Sequence, residues 1–119
     1  MEVVKTSESM NPVTTYLLTK SPAREKISAH DGDVIRVVGY AIYTDVDARG
    51  NENTLLSLLA DDNRVYTTSS ATCIRDMNDI LDAGVEPSKD SPACIGIRSG
   101  MSKNNRTFYG LYLDVTAEV

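Results

Sequence analysis

Tryptophan is absent from this chain of 119 residues and phenylalanine occurs once, as Phe108, so the interior has to be built from aliphatic side chains with help from some of the six tyrosines. Cysteine is scarce as well: Cys73 and Cys94 are too few for a disulfide framework, their spacing is not that of a zinc knuckle, and both are expected to be reduced, buried small hydrophobes. The single histidine, His30, excludes any site built from paired imidazoles. No run approaches the roughly 18 consecutive apolar residues of a membrane span, so no membrane association is expected. The opening Met1-Glu2-Val3-Val4-Lys5-Thr6 lacks the basic flank and apolar stretch of a secretory leader, which points to a cytoplasmic protein, in the host cytoplasm if the chain is phage-encoded. Without an export signal, the match of Asn105-Arg106-Thr107 to a glycosylation acceptor is accidental.

What is present is the composition of one soluble globular domain, 41% hydrophobic and 24% charged. Seventeen acidic residues against twelve basic ones give a formal charge of −5. Taken alone that opposes binding to a polyanion, because cationic side chains supply most nonspecific affinity for phosphate. The decisive question is whether the basic groups share a face from which the acids are absent.

Residues 1–30 are poorly patterned and read as an N-terminal arm, with Pro12 and Pro22 as breakers and one short strand expected over Val13–Thr19. Ser21 to Lys26 reads as a polar connector. The turn signal His30-Asp31-Gly32-Asp33 opens the main domain, residues 31–119. Val34–Thr44 is a β-branched and aromatic run about twice the usual strand length, with Gly39 where a strongly coiled strand needs to bend. Thr54–Ala60 and Val65–Thr68 complete a three-stranded meander. Ser69 or Ser70 then caps a helix carrying Ala71, Ile74, Met77, Ile80 and Leu81 on one side, stopped by Gly84 and Pro87. Ala93–Arg98 and Arg106–Val115 form a closing hairpin. Three strands, one helix and two strands is the order of an OB-fold: an all-β chain with one helix, folded as a five-stranded barrel.

Catalytic signals are missing. His30 lies in a turn, where a histidine is ordinarily a solvated polar residue, and there is no nucleophile elbow or phosphate loop. Asp45-Val46-Asp47-Ala48-Arg49-Gly50 imitates the start of a calcium loop but has Arg49 at the fifth position and Leu56 at the twelfth, so no metal, and likewise no cofactor, is expected. The positive signal is the interleaving of aromatic and basic residues that a single-strand binder uses, with rings for base stacking and cations for phosphate. Tyr40, Tyr43, Tyr66, Phe108 and Tyr112 are the stacking candidates, and Arg36, Arg49, Arg64, Arg98, Lys103 and Arg106 the phosphate candidates. The competing reading of every ring is core packing, since alternation exposes only one face of a strand. In the last strand, Phe108 and Tyr112 share the less core-like face; in the first, a bulge at Gly39 reverses parity, so alternation does not choose between Tyr40 and Tyr43. Between Ala93 and Leu113 there are three basic residues and no acid, whereas Asp76, Asp79, Asp82, Glu86 and Asp90 gather on the helix and the loop after it.

From Asp31 to Asp114 the chain resembles the single-stranded DNA-binding proteins of small protein-primed bacteriophages. The residues that carry this are Asp31-Gly32-Asp33-Val34-Ile35, the acidic loop before Asn53-Thr54-Leu55, Arg64-Val65-Tyr66 with Ser69-Ser70, and Ile95 to Lys103 continuing to Arg106-Thr107-Phe108. The resemblance implies an OB-type DNA replication protein, not an enzyme, with Tyr43 and Tyr66 as leading stacking residues and Arg98, Lys103 and Arg106 near phosphate. The sequence departs from the family at Asp90-Ser91-Pro92-Ala93-Cys94, which is less basic than its members usually show. The expected partner is therefore single-stranded DNA, with replication proteins as a second class of partner. The alternatives are an OB-like protein–protein adaptor and an acidic DNA-mimic inhibitor.

Overall fold

The computed structural model describes residues 2–7 and 11–115. Their order is β1 (Glu2–Thr6), α1 (Pro12–Thr19), β2 (Glu25–Lys26), a single 3-10 turn (Ile27–Ala29), β3 (Val34–Val46), β4 (Glu52–Ala60), β5 (Val65–Thr68), α2 (Ala71–Asp82), β6 (Ala93–Met101) and β7 (Thr107–Leu113). The strands form one sheet in the order β2-β5-β4-β3-β6-β7, with β1 also on β3. β3 organises it. One edge of β3 pairs with β4 from Val37 to Val46; the other pairs with β6 over Val34–Val37 and with β1 over Ala41–Thr44. A strand with three partners spread along its length has to coil, and the sheet becomes a curled half-barrel.

The register slips between Val37 and Gly39, where β3 bulges against β4. Ile35 and Val37 therefore share the concave face with Tyr40 and Ile42, although strict alternation would have placed Tyr40 on the opposite side. The main core lies between that face and α2, whose Cys73, Met77, Ile80 and Leu81 pack against Leu56, Leu58, Ile95 and Ile97. Ser70 starts α2 by accepting the Cys73 N–H on its side-chain oxygen. No β5–β7 ladder closes the sheet among the described residues; α2 spans that gap. The Leu111 N–H on the outer edge of β7 donates to Asp76 Oδ2 at 3.0 Å, and the Ser70 hydroxyl and Cys73 thiol donate to the Tyr109 carbonyl. The edge is thereby covered instead of being left to pair with another strand.

Residues 13–19, expected as a strand, belong to the helix α1, so the described residues hold two α-helices where one was expected. Pro12 is an initiator here and not a breaker: it stands at the first helical position, where its missing N–H has no partner to lose and its fixed φ suits the helix. Asn11 Oδ1 accepts the Thr14 N–H at 2.9 Å as the cap. Burial of Leu18 then outweighs the strand preference of Val13, Thr14 and Thr15. α1 lies on the convex side of the sheet over a second, smaller core of Leu18, Val38, Ala41, Tyr43, Leu59 and Val65. The described residues of the N-terminal thirty are thus tied to the sheet through β1, Leu18 and Ile27. No helix of the described residues is long and apolar enough to cross a membrane.

Candidate nucleic-acid interface

The β6–β7 hairpin places its alternate residues in rows across the convex face. Gly96 stands opposite Tyr112, Arg98 opposite Gly110, and Gly100 opposite Phe108. The other alternation turns Ile95, Ile97 and Leu111 into the core. Each ring leans onto the glycine across from it: a Cβ on Gly96 would run into the Tyr112 ring, and a Cβ on Gly100 would lie 2.6 Å from Phe108 Cζ. The tip of each ring thus lies against the backbone of the strand opposite. Between the two rings stands Arg98, exposed, with its guanidinium carbon 5.7 Å from the Tyr112 ring centre, within cation–π range. Phe108 is 42% exposed and Tyr112 half-buried.

The tip of the hairpin adds Lys103 and Arg106, both exposed. Its turn is closed by Ser102, whose N–H donates to the Arg106 carbonyl and whose hydroxyl oxygen accepts the Arg106 N–H, with Asn105 in the left-handed region at φ 58°. Among the described residues no carboxylate forms an ion pair with Arg98, Lys103 or Arg106. Acids do bond to the hairpin: Asp31 accepts from the Ser99 N–H at 2.9 Å and the Ser99 hydroxyl at 2.7 Å and so fixes the flank of β6, and Asp76, which accepts the Leu111 N–H, has its Oδ2 2.9 Å from where a Cβ on Gly110 would stand.

The remaining candidates do not join this surface. Tyr40, 2% exposed, lies in the main core, because the bulge rotates it inward. Tyr43 is on the convex face but sealed at 0% exposure beneath α1. Its hydroxyl accepts from Arg24 Nη1 at 2.6 Å, donates to the Leu18 carbonyl and meets Ser57 Oγ at 3.3 Å. Tyr66, 7% exposed, also faces the main core and forms a T-shaped pair with the His30 ring, their centroids 4.9 Å apart. None of these three rings offers a face to a base in this conformation, which corrects their reading as stacking residues. Arg36 pairs with Asp61 at 2.8 Å and Arg64 with Asp62 at 3.6 Å. The Arg64 guanidinium is held more firmly protonated by the Tyr66 hydroxyl and then by Asp62. Arg49 sits apart, in the exposed β3–β4 loop.

In that loop Asp47 accepts the backbone N–H groups of Asn51 at 3.0 Å and Arg49 at 2.9 Å, and these bonds, Asn51's first, hold its carboxyl below the ordinary carboxylate range. His30 is not simply solvated: its two ring nitrogens lie 3.1 Å from Glu25 Oε1 and 3.0 Å from Asp33 Oδ2. Nor does Asp76 face solvent with the other acids of α2, since it holds the edge of β7. Cys73 and Cys94 are buried and not joined to one another; burial pushes the Cys73 thiol up. Sequence reasoning missed Arg24, which lay in an apparent connector, and the glycine seats. The seats had a signal: glycines four apart at 96 and 100 face aromatics four apart at 108 and 112 across one hairpin.

Comparison with protein-family models, curated proteins and solved structures finds no match to this chain.

Proposed function

We propose that this chain binds single-stranded DNA without regard to sequence and without chemistry, coating and protecting strands exposed during phage-type DNA replication. The observation that carries the reading is the β6–β7 hairpin face: an exposed Phe108 and a half-buried Tyr112 with an arginine between them, two further cations at its tip and no carboxylate in its sequence from Ala93 to Leu113. Rings supply stacking that every base accepts, and unpaired cations supply attraction to phosphate. Of the acids on α2 and the loop after it, Asp79, Asp82, Glu86 and Asp90 are exposed and have no hydrogen bond or ion pair to the hairpin among the described residues, while Asp76 is engaged with the backbone of β7. The succession β3-β4-β5-α2-β6-β7, with β3 shared between β4 and β6, supports an OB-type barrel in which α2 stands at the open seam.

The test is titration with a single-stranded oligonucleotide at two salt concentrations, followed by tyrosine emission, which no tryptophan obscures, and by filter retention. Quenching and retention at low salt, weakening with a log–log slope of about −2 if all three hairpin cations meet phosphate, are expected. Absence of binding at low salt would remove the reading.

A further inference from the structure

The geometry points to a platform that recognises bases, not phosphate alone, at two seats whose positions are set by Gly96 and Gly100. This inference rests on the single-strand reading of the hairpin face and adds to it what the face selects. Phe108 and Tyr112 are four residues apart on one strand, so their seats lie about 13 Å apart at the rise of an extended chain. Each ring tip rests on the glycine directly across the ladder. A side chain at either position would drive the ring off its seat, and a displaced ring no longer stacks at that place. Neither glycine is required by backbone conformation, for the positive-φ glycines are Gly32, Gly50 and Gly84. What holds Gly96 and Gly100 is the space occupied by the rings. They are positioning residues, acting on the ligand through Tyr112 and Phe108.

The arrangement between the seats fits the same ligand. Gly110, midway along β7, raises no side chain of its own between the rings but is buried against α2, with Asp76 Oδ2 2.9 Å from where its Cβ would stand, and Arg98 across the ladder is the one cation placed there. A strand laid along β7 with bases on both rings brings a phosphate past Arg98. An anionic polymer without bases would engage Arg98, Lys103 and Arg106 and gain nothing from the rings.

The experiment compares an oligothymidylate with an abasic oligonucleotide of equal length and backbone charge, for the wild type and for Gly96→Ala, Gly100→Ala, Phe108→Leu and Tyr112→Leu. Circular dichroism and urea midpoints confirm folding. The wild type should prefer the base-bearing strand, and loss of either ring should weaken that affinity by about five- to 150-fold with little change for the abasic one. Gly100→Ala should imitate Phe108→Leu, and Gly96→Ala should imitate Tyr112→Leu. Should a glycine variant fail to fold, the leucine variants decide whether the rings select bases. Equal wild-type affinity for the two oligonucleotides, or variants that keep the wild-type preference, would overturn the platform while leaving DNA binding in place. A wild type that binds neither at low salt would overturn the single-strand reading and this inference together.

Discussion

Two tyrosines lie on the convex side of this sheet, each against an arginine, and they have opposite fates. Tyr43 is locked: its hydroxyl takes a 2.6 Å hydrogen bond from Arg24, and α1 seals its ring. Tyr112 is open: its ring leans on Gly96, and Arg98 stands 5.7 Å from its centre without a carboxylate to hold it. Side-chain type does not distinguish them. The difference lies in what covers each region, a helix over the β3–β4 side and solvent over the β6–β7 side.

The sharpest break of this comparison is truncation of both rings. Tyr43→Ala opens a cavity in a fully buried site and should cost about 3–5 kcal/mol in urea unfolding, with no effect on oligonucleotide affinity in the protein that remains folded. Tyr112→Ala should invert the pattern, with a stability change of no more than about 1 kcal/mol for a cross-strand contact and an affinity loss of about 1–3 kcal/mol. Equal affinity losses from the two variants would mean that α1 moves aside and that the Tyr43 face also meets DNA.

Charge supplies a finer contrast. Removing Arg98, Lys103 or Arg106 singly should lower the magnitude of the salt slope by about 0.7. Arg36→Ala and Arg64→Ala remove arginines already engaged by Asp61 and Asp62, and the slope should stay as in the wild type. The smallest effect concerns the exposed Asp47 loop. Its folded-state pKa is depressed below the ordinary 3.8, so the stability it contributes is present above that value and is lost as pH falls through the folded pKa. Asp47→Asn should flatten that part of the acid unfolding curve and leave DNA affinity at neutral pH unchanged.

Much of the fold was readable along the chain because its signals are local. The turn at His30–Asp33, the strands beginning at Val34 and Val65, and α2 from Ala71 with Ser70 as its cap follow from periodicity and capping, which act over a few residues. α1 was not readable: Val13-Thr14-Thr15 prefers a strand, and the cap at Asn11 prevails only with Leu18 buried on a sheet assembled from residues far along the chain. The candidate site divides in the same way. The parity of β7 put Phe108 and Tyr112 on the open face, and that was legible. The fates of Tyr40, Tyr43 and Tyr66 depended on a bulge, on a helix that covers one face, and on packing against His30.

By itself, then, the sequence determined the elements, the alternation within each strand, and an acid-free hairpin following an acid-rich helix, because each depends on neighbours within a few residues. Only the tertiary structure decided which rings remain exposed, which arginines are engaged by carboxylates, and how α2 closes the edge of β7. The physical reason is that burial and ion pairing are made between segments tens of residues apart. Arg24 meets Tyr43, Arg36 meets Asp61, and Asp76 meets Leu111 only after β3 has coiled and brought them together.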